Sequence, residues 1–108
     1  MKLLFICSKN RWRSPTAEEV FSNYEGIESI SAGTNSDSET PISGDLIEWA
    51  DVVFVMENTH KEKITKRFNT LLKDKRIVVL GIADKYKYMQ PELVELLEKK
   101  VAKSIELA

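Results

Sequence analysis

The chain has 108 residues, 43% hydrophobic and 31% charged, with 16 basic against 17 acidic side chains and a net charge of −1. That length supports one domain with a modest core, so residues 1–108 read as a single unit, without repeats or linkers. Balanced charge argues against bulk binding to nucleic acid or a membrane surface, and a single cysteine leaves no intramolecular disulfide and no multi-cysteine metal site.

Leu3–Cys7 is apolar without alternation, the pattern of a strand buried on both faces of a parallel sheet. The apolar run before Ser8 is too short for the hydrophobic part of a signal peptide, and no stretch approaches a membrane span. A free thiol suits a reducing cytoplasm, which is the expected compartment. After a polar loop, Ser14 is the expected N-cap and Pro15 the first helical residue. Ala17, Val20, Phe21 and Tyr24 then form one apolar face, and Gly26 is the expected stop.

Glu28–Ala32 reads as a second strand ending in Gly33-Thr34, and Asn35–Thr40 as a polar surface loop. Pro41–Ala50 holds a short helix capped by Ser43, with Leu46, Ile47, Trp49 and Ala50 inward. Val52–Met56 is a third strand. Lys61–Leu72 is a helix with Ile64, Phe68, Leu71 and Leu72 on one face, and His60 at its start is expected to face solvent. Arg76–Leu80 is a fourth strand. The last helix starts near Pro91, repeats Leu93, Leu97, Val101 and Ile105, and runs from acidic to basic residues in the sense that complements its dipole.

Four strands alternating with helices predict an α/β fold: a single-domain, three-layer open sheet of parallel strands with helices on both faces. Such sheets bind ligands beyond the carboxyl ends of their strands. Cys7, Gly33, Glu57 and Gly81 all fall just past a strand's carboxyl end.

Cys7 opens the loop Ser8-Lys9-Asn10-Arg11-Trp12-Arg13, which runs into the helix at Ser14. A strand-loop-helix of this length can aim several backbone N–H groups and a helix amino end at one phosphate. Arg13 can grip two phosphate oxygens in fork geometry. The same donors favour the thiolate of Cys7, which then attacks phosphorus to give a cysteinyl-phosphate, while the Ser14 hydroxyl can help hold and release it. The leaving group needs a proton and the phosphoenzyme needs an activated water, and one carboxyl group can serve both. Asp84 is the candidate; Glu57, Asp37 and Glu39 are competing loop acids. Tyr86 and Tyr88 are expected to form an aromatic wall, with Trp12 a third aromatic at the mouth.

The run Cys7-Ser8-Lys9-Asn10-Arg11-Trp12-Arg13-Ser14-Pro15 resembles the signature of the low-molecular-weight protein tyrosine phosphatases. Ser31-Ala32-Gly33-Thr34, Asp51–Met56 and Asp84-Lys85-Tyr86 resemble later stretches of that family, in the same order. The resemblance implies strand order 2-1-3-4, no metal and no other cofactor. It implies Cys7 as nucleophile, Arg13 as clamp, Ser14 as leaving-group support, Asp84 as general acid, and Asn10 and Ser31 as braces of the loop. Departures are a short stretch between Thr34 and Asp51, where the family has a cleft wall and a supporting histidine, Lys9 in place of a common glycine, Lys85 in place of a proline, and Trp12 in place of a frequent second cysteine. Lys9 would then need a loop conformation acceptable to a side chain.

The expected substrate is a phosphotyrosine protein or a small phosphate ester, with phosphate or vanadate as inhibitory oxyanions. Three alternatives stand beside hydrolysis. One is arsenate reduction recycled by an external thiol, and another a phosphotransfer domain carrying a phosphoryl group on cysteine, against which Arg13 speaks. The third is a phosphate- or nucleic-acid-binding module built on Lys9, Arg11 and Trp12.

Overall fold

The computed structural model describes residues 1–106. Its elements are β1 (Lys2–Cys7), α1 (Arg13–Phe21), β2 (Glu28–Gly33), α2 (Gly44–Trp49), β3 (Val52–Val55), α3 (Asn58–Leu72), β4 (Arg76–Val79) and α4 (Pro91–Ala102). The strands form one parallel sheet, as the sequence predicts, in the order β2-β1-β3-β4 that the family resemblance implies.

Uninterrupted apolar strands are explained by the layers around them. Leu3, Phe5 and Cys7 of β1 point to one face, where Ala17, Val20 and Phe21 of α1 and Leu93, Leu97 and Val101 of α4 cover them. Leu4 and Ile6 point to the other, beneath Ile47 of α2 and Ile64 and Leu72 of α3. Phe5 stacks between Phe21 and Phe54, with ring centroids 5.4 and 5.2 Å away. Burying such a ring contributes about 3 kcal/mol at most, so this stack anchors the first strand, at whose end the loop of Cys7 begins.

Several boundaries differ from the sequence reading. α1 begins at Arg13 with Trp12 as N-cap, and no side chain caps it; Ser14 is already inside, its hydroxyl used elsewhere. α1 ends at Phe21, and Gly26, at φ 80°, turns the chain into β2 rather than stopping the helix. α2 is capped by Ser43, whose Oγ accepts from the Leu46 N–H at 3.4 Å. α3 starts three residues earlier than expected because Glu57 and His60 form a capping box, and it kinks at Phe68 (φ −125°, ψ 35°). The loop 35–40 is not wholly a surface loop, since Ser38 is buried against Ser8.

Four connections deliver residues to one edge of the sheet: the loop after β1, the turn after β2, the Glu57 turn after β3, and the segment after β4. Gly33 is where the second meets the first. Cys7 O accepts from Thr34 N and Ser8 O from Asn35 N, both at 2.9 Å. A Cβ on Gly33 would stand 2.7 Å from Ser8 O and against Ser38 Oγ, so only glycine permits this approach. Gly81, at φ 68°, turns the chain after β4 and sends Ile82 to Asp84 back towards that edge.

Candidate active site

Cys7 ends β1 and is almost fully buried. Its Sγ lies 2.9 Å from Ser14 Oγ, so the hydroxyl expected to cap α1 faces the sulfur instead. Ser14 Oγ accepts from Asn10 Nδ2 at 3.1 Å. Its one hydrogen can then point at Cys7 Sγ, 2.9 Å away, in preference to Ala32 O at 3.4 Å.

Asn10 gives the loop its turn. It takes φ 56°, the left-handed region that asparagine tolerates better than most residues. Its amide also donates to Ser31 Oγ at 2.8 Å, and Ser31 in turn donates to Glu18 Oε1 at 2.8 Å. The chain Glu18-Ser31-Asn10-Ser14-Cys7 thereby ties α1, β2 and the loop together. Lys9, by contrast, has no positive φ; the unusual conformation falls on Asn10, and the lysine is sterically ordinary. Asn10 is buried and turned away from the mouth.

No backbone N–H of residues 8–12 is bonded to a protein acceptor among the described residues. Together with the empty cap of α1, this leaves a group of donors unspent beside the thiol, the arrangement that receives an oxyanion.

Arg13 is 2% exposed and held by three oxygens. Nη1 donates to Glu57 Oε1 at 2.5 Å and to Ile82 O at 2.8 Å, while Nε lies 3.7 Å from Asp84 Oδ1. Buried guanidinium groups need this kind of pairing. Using Nη1 for both short bonds leaves Nη2 without a protein acceptor among the described residues.

His60, expected in solvent, is buried, 1% exposed. Its Nδ1 accepts from the Glu57 N–H at 3.0 Å and its Nε2 lies 2.8 Å from Ser8 Oγ. With Nδ1 an acceptor, the neutral ring carries its proton on Nε2 and donates to Ser8, leaving the Ser8 hydrogen free for the loop. Burial, and then the charge of Arg13, push the ring down from 6.5 to about 4. Sequence reasoning missed His60 because it sits in a lysine-rich stretch. The missed signal was the capping box, Glu57 followed three residues later by a side chain able to return a bond.

Cys7, Ser8 and Arg13 line a cavity of about 280 Å³, together with Lys9, Arg11, Trp12 and Asp84. Asp84 is more than half exposed at its rim, and its segment is fixed to α1 by the Met89 N–H donating to Thr16 Oγ1 at 2.9 Å. Glu57 faces Arg13 from behind and does not line the cavity. The aromatic wall requires correction. Tyr86 packs on the α1/α4 side of the core and Tyr88 stands in solvent, so neither lines the cavity; Trp12 is its one aromatic. Among the described residues no His, Cys, Asp and Glu cluster could hold a metal ion, and no helix is long and apolar enough to cross a membrane.

No protein-family model and no curated protein matches the chain. Solved structures do. A low-molecular-weight protein tyrosine phosphatase from Bacillus subtilis is 25% identical, with 96% of this chain and 99% of that one covered and a TM-score of 0.71. The fold is that of the low-molecular-weight protein tyrosine phosphatases. The YwlE arginine phosphatase of Geobacillus stearothermophilus is 24% identical over 94% of this chain and 90% of its own, at a TM-score of 0.70. Wzb of Vibrio vulnificus, in complex with benzylphosphonate, is 20% identical over 96% and 98%, at 0.75. Low-molecular-weight phosphatase architecture thus accounts for nearly the whole chain, with Cys7 at the end of its first strand.

Proposed function

We propose that the protein is a cysteine-dependent phosphatase acting on phosphotyrosine or small aryl phosphate monoesters through a cysteinyl-phosphate. The observation that carries this reading is Cys7 Sγ at 2.9 Å from Ser14 Oγ, in a cavity that also gathers Arg13 and Asp84. The phosphatase fold and the benzylphosphonate bound by the Vibrio vulnificus protein support it.

The phosphoryl oxygens sit among the unspent N–H groups of residues 8–12 and the free side of the Arg13 guanidinium. Cys7 thiolate attacks phosphorus, the P–O bond to the leaving group breaks, and Asp84 as the acid transfers its proton to the departing oxygen. Asp84, now a carboxylate, takes a proton from water as that water attacks phosphorus. The S–P bond breaks, and the thiolate returns to the hydrogen bond from Ser14. Phosphate leaves and no metal enters any step. The donors are arranged before substrate arrives, which is the efficient way to stabilise charge developing on the phosphoryl group. Glu57 and His60 are positioning residues: one holds Arg13, the other holds Ser8. A reducing compartment such as the cytoplasm would keep the thiol in its working state.

Vanadate-sensitive hydrolysis of p-nitrophenyl phosphate tests the reading. Wild type should turn the substrate over and vanadate should inhibit it, while Cys7→Ser should lose turnover yet still bind phosphate. Residual turnover in Cys7→Ser would remove Cys7 from its role.

A further inference from the structure

The cavity mouth carries a charge imbalance that phosphate binding alone does not use. Its lining holds three cations, Lys9, Arg11 and Arg13, against one carboxylate, Asp84. Arg13 is matched by Glu57 and Asp84. Lys9 and Arg11 are exposed, and neither side chain has an ion pair or a hydrogen bond among the described residues. On a chain of net charge −1 this is a local excess of two positive charges, on either side of a buried, inward-turned Asn10. Trp12, 40% exposed, supplies an apolar face beside them.

Exposed cations without partners are well hydrated and cost the fold little, so their presence is not a stability device. At a cavity mouth they favour anions entering it and oppose cations. A phosphate already meets Arg13, the helix end and the loop amides at the floor. Lys9 and Arg11 are left for a second anionic group on the same substrate.

We infer that this site selects aryl phosphates bearing a second anion near the phosphate, a phosphotyrosine flanked by acidic residues or an aryl phosphate carrying a carboxylate, with Lys9 and Arg11 as the specificity-determining residues and Trp12 as the platform for the ring. The same two charges oppose a substrate with basic residues flanking the phosphate, which is the disfavoured class. The inference rests on the phosphatase reading for its substrate and extends it to the surroundings of the phosphate.

Three phosphotyrosine peptides identical except for acidic, neutral or basic flanks would test it, beside phenyl phosphate with and without a ring carboxylate. In wild type kcat/KM should fall in the order acidic, neutral, basic, with about fivefold between acidic and neutral at low salt, the size expected of two exposed ion pairs. The gap should shrink in roughly 0.5 M salt as the charges are screened. A double variant, Lys9→Gln with Arg11→Gln, should bring the three peptides to near equality. Preference confined to the peptides points to a protein substrate; preference shared by the carboxylated phenyl phosphate points to a small one. No preference in either series, or a preference that survives the double variant, overturns the inference. Dissociation constants of the same ligands for Cys7→Ala give a readout independent of turnover. Absence of all hydrolysis by wild type would sink the phosphatase reading, while an acidic-over-basic order in those constants would still uphold the rim, and a flat order would overturn it.

Discussion

Asn10 combines two properties that no other residue type supplies together: tolerance of φ 56° and an amide that donates to both Ser14 and Ser31. Asn10→Gly keeps the conformation and loses the bonds, at about 2 kcal/mol; Asn10→Ala loses both, at about 3 kcal/mol. Urea unfolding of the two variants should rank them in that order, and a glycine variant no better than alanine would mean the left-handed turn contributes nothing. His60 makes a second residue-scale prediction. Its folded value near 4 lies below the ordinary 6.5, so the unfolded chain binds the proton more readily. The contribution of His60 to stability is therefore whole above about pH 6.5, declines as the pH falls towards 4, and amounts to about 3 kcal/mol at most. His60 is the only histidine, so one imidazole signal should titrate by NMR near pH 4; a midpoint near 6.5 would contradict its burial. The family resemblance already implied Asn10 as a brace of the loop, with Ser31 its partner. His60 was not legible along the chain, because it has an environment only once β1 and β3 lie side by side.

The turn after β3 is the element that joins stability to the site. Glu57 caps α3 with His60 and also holds Arg13, whereas Asp84 stands at the cavity rim. The two acids should therefore differ in kind. Asp84→Asn should lower turnover most for poor leaving groups, because the lost proton matters most there. Glu57→Gln should lower turnover about equally for good and poor leaving groups, and should also reduce stability by about 2 kcal/mol, because buried Arg13 loses a charged hydrogen-bond partner. A leaving-group dependence that appears in Glu57→Gln and not in Asp84→Asn would exchange the two assignments. Elements with long apolar patterns, β1, β3 and α4, were readable because one periodicity or one continuous run decides each. The start of α1 was not: the hydroxyl that fits an N-cap at Ser14 is claimed by Cys7, and local propensity cannot show that competition. Tyr86 and Tyr88 failed for the related reason that adjacency to Asp84 in sequence says nothing about which side of the chain faces the cavity.

On the scale of the whole molecule, the order β2-β1-β3-β4 brings four connections to one edge, and the candidate site is made from contacts among them rather than from any one element. An oxyanion bound there should stabilise the entire fold. Phosphate or vanadate at a hundred times its dissociation constant should add about 2.7 kcal/mol, raising the thermal midpoint by about 10 °C. Arg13→Lys, which keeps the charge and loses the fork, should show a much smaller rise; an equal rise would mean the guanidinium does not hold the anion. The alternation of strands and helices made the sheet predictable, and the contiguous run from Cys7 to Ser14 made the candidate loop readable in one stretch. The braces behind it, Glu57, His60 and Ser38, come from distant positions and become visible only in three dimensions.

On the proposed mechanism, Cys7 carries the phosphoryl group during turnover. Rapid mixing with an aryl phosphate, followed by quenching and peptide mapping, measures this directly. A phosphorylated peptide containing Cys7, formed as fast as the first equivalent of phenol is released and more abundant in Asp84→Asn if hydrolysis of the intermediate is made rate-limiting by a good leaving group, is the predicted result. Release of phenol with no phosphoryl group on Cys7, at times shorter than one turnover, would contradict it.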